Sequence, residues 1–117
     1  MQEFLVQIDI RLPPELGPAA TAALQSAEFR RGRELVEQRT IRHIWRVPGR
    51  RANVGVWRAD DATELHRLLV SLPMFPYMDV RVTPLAIHDL DGEDASEVDA
   101  PDASDDGDYG RARSGQR

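Results

Sequence analysis

The chain has 117 residues and a net charge of −5; its 15 basic side chains are all Arg, and it has no cysteine. This length suits one domain. The missing thiols exclude disulfides and thiolate metal sites, and the missing Lys excludes a Schiff-base lysine. Charge is unevenly spread: residues 1–88 hold 12 Arg against 10 Asp and Glu, a net +2, whereas residues 89–117 hold 3 against 10, a net −7.

Residues 4–11 alternate from Val6 onward, with Val6, Ile8 and Ile10 facing one way and Gln7, Asp9 and Arg11 the other. That is the pattern of a half-buried strand, closed by Pro13-Pro14. Residues 15–38 predict a long helix in which Ala20, Leu24, Ala27, Arg31 and Leu35 form an inward stripe, with Glu28 lying on it. Residues 40–47 predict a second strand, with Ile41, His43, Trp45 and Val47 on one face and Arg42, Ile44 and Arg46 on the other. Pro48-Gly49 marks a turn into a third strand at residues 51–58, so the two form a hairpin.

Asp60-Asp61, with Glu64 three residues on, is a helix-start signal. Leu65, Leu68, Leu69 and Leu72 share one face of that helix, and Pro73 ends it. Residues 74–78 read as an apolar loop and residues 79–83 as a fourth strand, which Pro84 assigns to a sheet edge. The order β-α-β-β-α-β defines an α+β, ferredoxin-like domain over residues 1–88. Two helices cover one face of such a sheet, and a second subunit is the simplest cover for the other. Residues 89–117, rich in Asp, Gly, Ser and Ala, read as a disordered acidic tail. No apolar run approaches the ~20 residues of a membrane span. The N-terminus enters a strand pattern without a basic leader, so the expected location is cytoplasmic.

Glu28 is the most informative residue. A carboxylate facing a sheet among Leu24, Ala27 and Leu35 is desolvated, its pKa rises, and it suits general-base work near neutral pH. The alternative is an ion pair with Arg31 at i,i+3. The run Arg42-His43-Ile44-Trp45-Arg46 mixes cationic, titratable and aromatic side chains. It suits recognition of a carboxylate-bearing ligand, with His43 as a proton shuttle or oxyanion donor; the alternative is a plain strand with one apolar and one solvated face. Asn53 stands mid-strand, where Asn is disfavoured, either as an amide donor to a developing oxyanion or as a partner for local backbone. Tyr77 either lines a pocket or packs. Three scattered His give no metal-ligand spacing. Arginines without interleaved aromatics make a poor nucleic-acid platform.

The segments Thr40-Ile41-Arg42-His43-Ile44-Trp45-Arg46, Gly49, Ala52-Asn53 and Leu72-Pro73-Met74-Phe75-Pro76-Tyr77-Met78-Asp79 together resemble muconolactone Δ-isomerases, as do the opening Phe4-x-Val6 and Leu12-Pro13. The resemblance covers residues 4–88. It implies a ferredoxin-like subunit that pairs into a dimeric α+β barrel and assembles further, typically into decamers, without any cofactor. It also implies a reaction in the β-ketoadipate pathway of catechol breakdown, in which the ring double bond of muconolactone moves to give 3-oxoadipate enol-lactone. Glu28 matches the family's proton-transferring glutamate, and Arg42, His43, Trp45 and Asn53 match motif positions. The sequence departs from the family pattern at Arg31, Arg50-Arg51 and Val54-Gly55.

On this basis Arg42 is expected to hold the substrate's carboxylate, with Glu28 moving the proton and Asn53 and His43 stabilising the dienolate. Chloride elimination from 5-chloromuconolactone on the same scaffold, or a non-catalytic binding module of the same barrel fold, are the alternatives.

Overall fold

Alternation carries the first strand, β1 (Gln2–Ile10), through the middle of a four-stranded sheet. A short 3-10 turn (Pro14–Leu16) leads into helix α1 (Gly17–Glu37), followed by the hairpin β2 (Ile41–Arg46) and β3 (Ala52–Ala59). Helix α2 (Ala62–Val70), a second 3-10 turn (Phe75–Tyr77) and β4 (Met78–Leu85) complete the order. This is a computed structural model; it describes residues 1–91, of which Met1–Ala86 form one compact unit. The acidic segment expected at the C-terminus lies, from residue 92 onward, outside the described residues.

The strand order is β2-β3-β1-β4, with every neighbouring pair antiparallel, as the ferredoxin-like arrangement requires. Directly opposed residues share a face, so the pairings Phe4↔Trp57, Val6↔Gly55 and Ile8↔Asn53 put all six residues on the helix-covered side. Phe4, Val6, Ile8 and Trp57 are buried there with Leu35 of α1 and Leu65, Leu69 and Leu72 from α2 and its exit. Each large side chain contributes roughly 1.5–3 kcal/mol by leaving water. The helix α1 stripe forms as predicted except at its start, where Ala20 is exposed and Thr21 turns inward. Pro84 lies on β4, an edge strand as predicted, where its missing N–H costs no ladder bond.

Caps fix both helices. Asp61 accepts a hydrogen bond from the Glu64 amide at 2.8 Å, and the Glu64 carboxylate accepts one from the Asp60 amide. At the end of α1 the amides of Arg39 and Thr40 donate to the carbonyls of Val36 and Leu35 at 3.0 and 2.9 Å. That is a Schellman motif, and it holds Arg39 at φ 66°, a conformation usually given to glycine.

The second strand corrects one expectation. Ile41 pairs with Trp57 but His43 pairs with Val56, so Arg42 is the extra residue of a β-bulge. One inserted residue reverses the facing of everything after it. Ile41 therefore joins the core, whereas His43 and Trp45 turn to the open side of the sheet and Ile44 and Arg46 to the helix side. The open side carries Leu5, Val54 and Val56, all half-buried, and a His43–Trp45 ring stack at 5.7 Å with Trp45 55% exposed.

Candidate active site

Glu28 projects from the inner stripe of α1 and is half-buried. Its Oε1 accepts a hydrogen bond from the Met74 backbone amide at 2.8 Å. The Leu72–Tyr77 run supplies that donor by folding tightly: the Phe75 amide donates to the Leu72 carbonyl and the Tyr77 amide to the Met74 carbonyl. Prolines at 73 and 76 favour these turns. The ion pair with Arg31 is not made, because that guanidinium bonds Glu34 at 2.8 Å and the Ser71 hydroxyl at 3.0 Å. Burial raises the Glu28 pKa above its ordinary 4.5, and the Met74 amide opposes the rise without cancelling it.

Glu28 forms part of the wall of an open cleft of about 660 Å³, a size suited to a small organic ligand. Ile10, Phe29 and Met74 supply apolar surface, while Gln25, Arg46, Arg50 and Arg51 supply donors. The hairpin turn aims the last two. Pro48 stands at its second position and Gly49, at φ 78°, at its third; the Arg50 amide closes it on the Val47 carbonyl at 3.3 Å. Arg50 is engaged with Asp9 at 2.7 Å, whereas Arg46 and Arg51 make no ion pair among the described residues. A neighbouring groove beneath Pro13 and Pro14 shares Ile10, Gln25 and Arg51 with the cleft but holds no carboxylate.

The residues predicted for the site do not all meet. Asn53 lies on the helix side of the sheet, between Ile8 and Arg46, with its Oδ1 buried and unpartnered among the described residues. His43 and Trp45 lie on the opposite side of the sheet from Glu28, and Arg42 bonds Glu3 at 3.3 Å. For His43 and Trp45 the bulge is the physical reason, since alternation put both on the face of Ile41, which is the side the helices cover. Tyr77 is half-buried beside Pro13 and Pro14, away from the cleft lining. Phe29, Arg51 and Met74 are cleft residues to which sequence reasoning gave no site role, and Arg46 entered it only as part of the run at residues 42–46. Arg46 was hidden by the bulge, and Arg51 depends on the hairpin turn. Among the described residues, no cluster of His, Asp and Glu could hold a metal ion, and no helix is long and apolar enough to cross a membrane.

Residues 2–91 match the family model described as muconolactone delta-isomerase. Muconolactone Delta-isomerase 2 of Acinetobacter lwoffii is 38% identical over 85 residues, covering 73% of this chain and 88% of the relative. Muconolactone Delta-isomerase of Rhodococcus opacus is 33% identical over 91 residues, covering 78% and 98%. A crystal structure of muconolactone isomerase at 3.3 Å resolution superposes with a TM-score of 0.73 at 34% identity, covering 78% of this chain and 95% of that one. A family match across the whole folded unit, on the same sheet and helices, establishes that the chain belongs to the muconolactone delta-isomerase family.

Proposed function

We propose that this chain isomerises muconolactone to 3-oxoadipate enol-lactone, with Glu28 as the group that moves the proton. The observation that carries the reading is a half-buried carboxylate with a raised pKa on the wall of a ligand-sized cleft, held by the Met74 amide. The relatives bearing the name of this activity support the same reading.

The chemistry needs only proton transfer, so no cofactor enters it. The ring carbon bearing the acetate arm loses a proton that is acidified through the conjugated double bond to the lactone carbonyl. Glu28 takes it, and the electron pair spreads over a dienolate. The same carboxyl then delivers the proton to the carbon next to the carbonyl, which leaves the double bond one position along the ring. A single carboxylate serves both steps when both carbons present the same face, and the short path across a five-membered ring permits this. Asn53 remains the candidate donor to the dienolate oxygen, because it faces the same side of the sheet as the cleft.

The same reading includes a cytoplasmic site of action and self-association into a dimer and higher assembly. The open sheet face supports the latter: Leu5, Val54, Val56 and the His43–Trp45 stack make a largely apolar surface with no second layer among the described residues. On this view Arg42, His43 and Trp45 serve the subunit interface. The test of the activity is to mix purified protein with muconolactone and follow conversion to the enol-lactone, with chloride release from 5-chloromuconolactone measured alongside. Conversion of muconolactone without cofactor is expected; no conversion, or turnover confined to the chlorinated lactone, contradicts the reading.

A further inference from the structure

We infer that Arg46 and Arg51, which line the same cleft as Glu28, form the anchor for the substrate's carboxylate, and that Arg42 does not. This rests on the isomerase reading of the same cleft and deepens it by fixing how the substrate lies.

The cleft contains three guanidinium groups, and their partners separate them. Arg50 is committed to Asp9 at 2.7 Å. Arg42 is absent from the cleft lining and is tied to Glu3. Arg46 and Arg51 line the cleft and have no carboxylate partner among the described residues. They come from opposite arms of one hairpin. Arg46 reaches the helix side only because of the bulge at Arg42, and Arg51 follows the Pro48-Gly49 turn. The Ile10 amide donates to the Arg51 carbonyl at 3.0 Å, which fixes the base of that side chain against β1.

The substrate's geometry fits this wall. Its acetate arm leaves from the same ring carbon that loses the proton, so the arm's carboxylate must sit a few ångströms from the base. Two carboxylates that close in a half-buried cleft repel unless cations stand beside them. Among the described residues no guanidinium comes within ion-pair distance of Glu28, although Arg46 and Arg51 line the same cleft. An ion-paired arginine on Glu28 would have weakened it as a base. The separation keeps Glu28 basic and leaves both arginines open to the incoming anion, with the ring laid along Ile10, Phe29 and Met74. Paired guanidinium donors suit a planar carboxylate.

The experiment measures the Kd of muconolactone by calorimetry in the Glu28→Gln background, and KM and kcat in the parent. Arg46→Gln and Arg51→Gln are compared with Arg67→Gln, an exposed charge-loss control on α2. Both cleft variants are expected to raise Kd and KM by about 10- to 100-fold, as loss of a charged hydrogen bond does. Arg51→Lys should recover part of the loss, and Arg67→Gln should change neither constant. Circular dichroism checks that each variant is folded. Unchanged Kd and KM in both cleft variants would overturn the proposal while leaving isomerisation standing. Arginine-dependent binding with no turnover by the parent would sustain the anchor and reject the isomerase reading. No binding by the parent would reject both.

Discussion

Glu28 of α1 and the Met74 amide meet at 2.8 Å across 46 residues of sequence, and this bond joins the first helix to the loop that follows the second. Met74 is only 4% exposed, so its N–H has no ready substitute acceptor in water. Glu28→Ala should therefore destabilise the fold by about 1–3 kcal/mol, the cost of leaving a buried donor unpaired. Glu28→Gln keeps a carbonyl acceptor and should fold normally. Urea unfolding of the two variants checks the difference.

The sign of the pH effect follows from the raised pKa. The folded protein favours protonated Glu28, so this group's stabilising contribution is complete below about its ordinary 4.5 and is lost as pH rises through the raised folded value. Glu28→Gln mimics the protonated form. It should match the parent in acid and exceed it in stability near neutral pH, as read from melting temperature against pH. Parental activity should run the other way, rising with pH as Glu28 ionises, with a midpoint above that of an ordinary carboxylate.

Arg39 occupies the left-handed position that closes α1, where a Cβ costs roughly 1–2 kcal/mol relative to glycine. Arg39→Gly should stabilise the protein by about 0.5–1 kcal/mol after the extra flexibility of glycine in the unfolded chain is offset. Chemical denaturation with an unchanged slope checks it.

Gly55 sits beneath the bulged strand, and a Cβ there would stand 2.7 Å from the His43 carbonyl oxygen. That neighbour is backbone and cannot swing away. Gly55→Ala should cost about 1–3 kcal/mol through displacement of β2. Amide exchange should rise first in β2 and spare the β1–β4 pairing.

Trp45, 55% exposed on the uncovered sheet face, contributes little to the isolated subunit. Trp45→Asp should leave secondary structure intact and lower the solution mass measured by light scattering. A parent protein running at the 13.2 kDa of a single chain would contradict assembly through this face.

Most of the fold was legible because its signals are local. Alternation in β1, the leucine face of α2, the Asp61 cap and the Pro84 edge each follow from a few adjacent residues. The position of Glu28 was legible for the same reason, since 3.6-residue periodicity puts it on the inner stripe. The arginine wall was not. An extra residue in β2 separates Arg42 from Arg46, which alternation puts on one face, and turns Arg46 to the helix side; only pairing with β3 exposes it: Ile41 opposes Trp57 while His43 opposes Val56. Alternation read from one strand contains no trace of its partner's register.

The central claim is that Glu28 moves the proton, and the most direct measurement is the rate of muconolactone isomerisation by parent and Glu28→Gln at saturating substrate. The account predicts a loss of at least about 10²–10⁴-fold in kcat with substrate binding retained. A Glu28→Gln protein that turns over near the parental rate would contradict it.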